Sequence, residues 1–178
     1  GLRHKTICFL IVPFLHNTWN LEPCTLYPIY TLHLSFIMGK RRQARELAIQ
    51  VLFHLEFNPG NPDNVFDLIC ENFSSQKASR AFARQLVMGV CEKKISLDEL
   101  ISRSSRNWRL ERMSRLDSCI LRRAAFEFLF MEDIPPKVSI DEALEIGKKF
   151  GSENSGRFIN GILDNIYNSR VGEGKLFE

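Results

Sequence analysis

The stretch Ser114–Met131, SRLDSCILRRAAFEFLFM, limits what this chain can fold into more than any other part of it. On a helix, Leu116, Cys119, Ile120, Leu121, Ala124, Ala125, Phe126, Phe128, Leu129 and Phe130 cover most of the circumference. A helix apolar nearly all round has to be wrapped by other elements. This one is too short to span a bilayer, and Arg122, Arg123 and Glu127 make it too charged. Ser114 with Asp117 reads as an N-cap followed by a first-turn carboxylate. Pro135-Pro136 bars continuation at the other end. The pattern predicts a central strut with other helices packed on it. Arg122 and Glu127 then have to be partly buried, paired side chains that hold helices in register.

Residues 1–37 differ in kind from the rest. Their only charges are Arg3, Lys5 and Glu22, among Pro13, Pro23, Pro28 and many aromatics, and no period persists. Arg3-His4-Lys5 before ICFLIVPFL imitates the start of a signal peptide, but no small-residue cleavage site follows. Met38-Gly39-Lys40-Arg41-Arg42 reads as an ordinary protein start. The expectation is that 1–37 is upstream or cloning-derived sequence outside the working fold; an export or membrane segment and an authentic extension are the alternatives. Residues 38–170 then form the domain, and 171–178, VGEGKLFE, a frayed tail.

Within the domain the apolar period is helical. Ala44, Leu47, Ala48, Val51, Leu52 and Leu55 predict an amphipathic helix over 40–57, ended by Asn58-Pro59-Gly60-Asn61-Pro62. Asp63 is expected to cap a second helix carrying Val65, Phe66, Ile69 and Phe73. A third, over 79–94, turns Phe82, Leu86, Val87 and Val90 inward, with Gly89 placed for a close helix approach. Ser96-Leu97-Asp98-Glu99 and Ser139-Ile140-Asp141-Glu142 read as capping boxes opening the fourth helix and the one after the strut. Asn107-Trp108 closes the fourth segment, with Trp108 expected in the core. The helix begun at Ser139 should stop at Phe150 with Gly151 as the C′ residue. A last helix over 153–169 places Phe158, Ile159, Ile162, Leu163 and Ile166 on one side. No strand pattern follows residue 38, so the expected class is all-α.

Catalysis finds little support. The five cysteines (Cys8, Cys24, Cys70, Cys91, Cys119) form no CxxC pair and read as reduced residues of a cytosolic protein. Three of the four histidines precede residue 38, leaving His54, so neither a metal centre nor a His-based triad is expected. There is no Walker sequence, GxGxxG or serine elbow, hence no cofactor expected. Asp141, Glu142 and Glu145 read as a solvated face.

Binding is better supported. The net charge of +3 is too mild to decide anything, so the placement of the cations must. Lys40, Arg41, Arg42 and Arg45 crowd the first turn of a helix, whose N-terminus disfavours each cation by roughly 0.3–1 kcal/mol. An anionic partner explains them, and arginine suits a phosphate backbone; a solvated basic start explains them equally well. The second candidate is Lys148–Phe158, where one helix ends and another begins. Free N–H groups with the Ser152 and Ser155 hydroxyls make a phosphate seat there. Arg157 adds charge and Phe158 a face for a base. The competing reading is a plain connection with Phe158 packed inside.

Taken together, these residues resemble the NusB family of transcription antitermination factors. The likeness runs over about 40–168: RRQARELAIQVLF, GV followed by SLDEL, NW, LDSCILRRAAFEFL, PPKVSIDEALEIGKKFG, and S-x-R-F-I-N-G-I-L-D-N-I from Ser155. The resemblance implies two packed three-helix-type subdomains around a central buried helix, and no enzymatic activity. It implies binding of single-stranded boxA RNA from ribosomal RNA leaders jointly with NusE, a ribosomal protein, and assembly with RNA polymerase and other Nus factors. RNA contacts map by similarity onto the basic start, at Arg41, Arg42 and Arg45 beside Lys40, and onto Arg157 and Phe158. NusE contacts map near Phe53 and Asp117. Asn154 departs from relatives, which are often acidic there; an amide repels phosphate less. Relatives vary between monomer and dimer, so a homodimer stays open. Two other functions compete. One is the helical RNA-binding domain of an rRNA cytosine methyltransferase, which predicts a catalytic domain with a Gly-rich cofactor loop; the other is a purely protein-binding helical module, which predicts no affinity for RNA.

Overall fold

The computed structural model describes residues 39–72, 77–105 and 112–173, and among these it holds seven helices and no strand. In chain order they are α1 (Lys40–Phe57), α2 (Pro62–Asn72), α3 (Lys77–Glu92), α4 (Lys94–Ser104), α5 (Arg115–Phe130), α6 (Pro136–Phe150) and α7 (Ser155–Glu173). The expectations for residues 1–37, Phe73 and Asn107-Trp108 fall outside the described residues, as does most of the tail, although α7 continues through Glu173.

The predicted strut is α5. Every residue from Asp117 to Leu129 is buried, polar and charged ones included. It packs against α1, α3, α4, α6 and α7, with α1–α3 in mutual contact on one side and α4, α6 and α7 joined to it on the other. Its start is as expected: the Ser114 hydroxyl accepts the Asp117 backbone N–H at 2.9 Å. Arg122 and Glu127 are paired, as the pattern required. Arg122 donates to Asp98 of α4 at 2.5 and 3.1 Å and to Glu56 of α1 at 2.9 Å, tying three helices together.

The stripe on α1 is buried as predicted, with Leu55 only partly covered. Gly89 marks the close approach expected of it. A Cβ built there would lie 2.0 Å from Cζ, at the tip of the Phe126 ring of α5. Replacing Gly89 with Ala should therefore destabilise by about 1–2 kcal/mol in urea unfolding, overpacking outweighing the gain in helix propensity. Trimming the ring with Phe126→Leu should recover part of that loss, so the double variant should be less impaired than the two singles added together.

Four helix starts and stops differ from expectation. Asn61, not Asp63, caps α2, its side-chain oxygen accepting from the N–H groups of Asp63 and Asn64 at 2.9 and 3.3 Å. Neither predicted capping box caps anything. A single residue, Lys93, separates α3 from α4, so Ser96 lies inside α4 and donates back to the Lys93 carbonyl at 2.9 Å. α6 starts with Pro136 in its first position, which the fixed φ of proline favours, and this leaves Ser139 buried inside it. Gly151 does end α6, but with φ −88° and ψ −167° rather than in a left-handed conformation. It is glycine because the backbone turns back on itself: a Cβ would lie 2.6 Å from the Gly147 carbonyl oxygen.

Candidate nucleic-acid interface

The N-terminus of α1 has no side-chain cap and no acidic residue in its first turn. Lys40 and Arg41 are exposed and Arg42 is half-buried. Arg41 donates to Asp133, in the α5–α6 connection, at 3.0 Å. Arg42 grips Glu142 of α6 with two N–H groups, at 3.0 and 2.7 Å. That paired hydrogen bond, with the carboxylate charge behind it, holds the Arg42 guanidinium above its ordinary pKa.

Arg45 does not belong with them. It points inward, buried, and donates through two nitrogens to Glu127 on the central helix, with Glu142 3.9 Å away. Its assignment to an RNA surface is therefore corrected: a carboxylate in the core, and not a phosphate outside, takes its charge. Arg123 shares Glu127 at 2.8 Å. Burial works against charge on Glu127, but the hydrogen bonds and charges of Arg45 and Arg123 outweigh it and keep the carboxyl below the usual range. The rings and cations also stack, since the Arg41 and Arg45 guanidiniums lie 5.4 and 5.5 Å from the Phe82 ring centre on α3. Phe82 is thus partly covered by arginine as well as turned to the core.

The second candidate region adjoins the first through α6. Lys149, near the end of α6, donates to Glu46 of α1 at 2.9 and 3.0 Å. Its neighbour Lys148 lies along Gly156 in the first turn of α7 and donates to Glu145 at 2.8 Å. Asn154 and Arg157 are exposed at the mouth of α7, and no carboxylate pairs with Arg157 among the described residues. The two serines are used differently from the reading above. Ser155 is buried, accepts the Ser152 N–H at 2.8 Å and lies 3.0 Å from the Ser152 hydroxyl, so the pair closes the turn instead of facing a ligand. Phe158 is half-buried and packs against the core. The start of α1, the outer face of α6 and the opening of α7 therefore form one surface, with Lys40, Arg41, Arg42, Lys148, Lys149 and Arg157 along it.

Phe53 and Asp117 lie at the opposite end of α1. Phe53 meets Phe57 edge-on at 5.0 Å, and the Arg115 guanidinium sits 4.9 Å from the Phe57 ring centre. Arg115 also donates to the Glu56 carbonyl at 2.8 Å, which brings the start of α5 against the end of α1. Asp117 is buried there, with one carboxylate oxygen lacking a partner. Among the described residues no cluster of His, Cys, Asp and Glu is arranged to hold a metal ion, and no helix is long and apolar enough to cross a membrane. Cys70, Cys91 and Cys119 are unpaired thiols, and burial pushes Cys119 up to about 12.

A model of the NusB family matches residues 42–168. The chain belongs to the NusB family. Among its relatives, the transcription antitermination protein NusB of Desulforapulum autotrophicum is 50% identical over 131 residues, which is 72% of this chain and 92% of that protein. The NusB of Geobacter sulfurreducens is 44% identical over 138 residues, 77% of this chain and all of its own length. The fold matches that of T. maritima NusB with a TM-score of 0.70 at 38% identity, over 78% of this chain and 98% of that one. It also matches, at a TM-score of 0.68 and 25% identity, a crystal structure of antitermination factors NusB and NusE in complex with dsRNA, over 75% of this chain and 99% of that one. The expected NusB fold, all-α around a buried central helix, is the fold observed.

Sequence reasoning missed Asp133 and Glu142 as partners of the surface arginines. Glu142 had been given to a solvated face, and Asp133 carries no pattern of its own. Both were beyond the reach of local spacing, since their partners lie 92 and 100 residues away in the chain.

Proposed function

We propose that this chain is a non-catalytic adaptor of transcription antitermination. It binds single-stranded boxA RNA of ribosomal leader transcripts along the α1–α6–α7 surface, together with NusE, and joins RNA polymerase and other Nus factors. The observation that carries the reading is the continuity of that surface. Two cation clusters far apart in sequence share one face, where a strand can run from the uncapped start of α1 along α6 to Arg157 at the opening of α7. Lys40, Arg41, Arg42 and Arg157 supply charge, and Asn154 leaves the mouth of α7 without a negative charge of its own at that position. Phe158 is half-buried against the core, so only part of its ring is open to a base. The protein partner falls to the other end, where Phe53 and exposed Phe57 provide apolar area beside enclosed Asp117. The similarity to a solved NusB–NusE–RNA complex supports both partners.

Titration of labelled boxA RNA against salt tests this, with and without NusE. Each phosphate contact on a single strand contributes about 0.7 to the log–log slope. An Arg41→Ala, Arg42→Ala double variant should flatten the slope by about 1.4 units while remaining folded. An unchanged slope would take α1 out of the RNA site, and no RNA affinity with or without NusE would favour a purely protein-binding module.

A further inference from the structure

Most cations on the α1–α6–α7 surface already have a carboxylate, and the carboxylates fall into two kinds. Glu142 and Glu46 are tucked in, each with 15% of its side chain exposed, and they stitch α1 to α6 through Arg42 and Lys149. Asp133 and Glu145 stand in water, 60% and 52% exposed, and hold Arg41 and Lys148 from outside. Exposed pairs of this second kind contribute little to stability. Arg41 nevertheless reaches across to another segment of the chain to meet Asp133, with its own side chain 57% exposed.

We propose that Asp133 and Glu145 act as built-in competitors for RNA phosphate: each occupies a cation of the binding surface and has to be displaced before a phosphate takes its place. This rests on the RNA-binding reading of the same surface. The chemistry is substitution of one oxyanion for another on the same donor. Arg41 offers Asp133 one N–H of its guanidinium, at 3.0 Å, and a phosphate oxygen would accept the same donor. Lys148 offers its ammonium to Glu145 at 2.8 Å and is equally exchangeable. Both carboxylates also repel the incoming backbone until it arrives. They therefore lower affinity for any polyanion and make binding depend on strands whose remaining contacts are good enough to offset the exchange. Glu142 and Glu46 are not competitors in this sense, because each is tucked in and ties α6 to α1.

The test compares Asp133→Asn, Glu145→Gln and the double variant with the unaltered chain in fluorescence anisotropy with labelled single-stranded boxA RNA. Glu99→Gln serves as the reference, because Glu99 pairs with Arg103 in an equally exposed pair on α4 and its loss changes net charge by the same amount. Asp133→Asn and Glu145→Gln should each tighten binding about two- to fivefold beyond Glu99→Gln, the range an exposed ion pair covers, with thermal melting unchanged. The gain from Asp133→Asn should vanish when Arg41 is also replaced by Ala. Gains no larger than that of Glu99→Gln, or a gain that survives loss of Arg41, would overturn the competitor role while leaving RNA binding itself intact. Binding by neither the unaltered chain nor any variant, with NusE present, would overturn both readings. Binding by the double variant alone would support the competitor role in its strongest form.

Discussion

Glu127→Gln should lower the unfolding free energy at neutral pH by about 3–5 kcal/mol, the usual cost of removing one member of a buried ion pair. Glu127 is fully enclosed on the central helix and neutralises two arginines at once, Arg45 from α1 and Arg123 from one turn before it. Arg123 is worse placed to lose it, since its Nε and second Nη have no partner and burial already pulls its pKa down. An amide keeps the shape but not the charge, so both guanidiniums would stay in the core against a weak acceptor. Urea unfolding monitored by circular dichroism measures the effect. A loss under about 1 kcal/mol would mean that water reaches these groups and that the cluster behaves as a surface pair. Because Glu127 lies beneath the surface arginines and touches neither Arg41 nor Arg42, the salt slope of RNA binding should stay unchanged in any fraction that folds.

The second large effect is on the acid side. Burial penalises the charged forms of Glu127 and Glu56, but their hydrogen bonds and cationic neighbours (Arg45 and Arg123 for the first; Lys94, Arg122 and Arg115 for the second) leave both below the ordinary carboxylate range. A carboxyl with a folded-state pKa below its unfolded one contributes stability that is present in full above the unfolded value, about 4.3, and is lost as the pH falls through the folded value. Stability should therefore hold from neutrality down to about pH 5 and then decline steeply. The gap between the unaltered chain and Glu127→Gln should shrink over the same range, because a protonated Glu127 resembles the amide that replaces it. Unfolding curves from pH 7 to pH 3 would show this, and a gap that stayed constant would remove Glu127 from the acid response.

The sequence disclosed the parts of the fold that one element can report about itself. The strut was legible because apolar residues on every side of a helix leave it nowhere to go but inside. Gly89 was legible because glycine within a strong helical pattern needs a neighbour to explain it. Helix starts were less so. Ser96 and Ser139 have the side chains and the spacing of caps, but the near-continuity of α3 and α4 and the early start at Pro136 swallowed both into helices. In the candidate interface, four basic residues looked alike because they are adjacent. Arg45, Ile49 and Leu52 nevertheless recur at inward spacing, and Glu127 lies on a helix whose neighbours all face the core. Together those two features set Arg45 apart from the exposed cations beside it. The pairing of Arg41 with Asp133 had no such trace, as neither residue repeats at any period.

Glu142 touches both worlds. On one side it is gripped by half-exposed Arg42, on the other it stands 3.9 Å from enclosed Arg45. The same inner arginine is the one that Glu127 holds one layer down, so the surface pair and the buried pair share a neighbour. A half-exposed contact and the most sheltered charges of the molecule are thus two ends of a single chain of ions, running from Arg42 through Glu142 and Arg45 to Glu127.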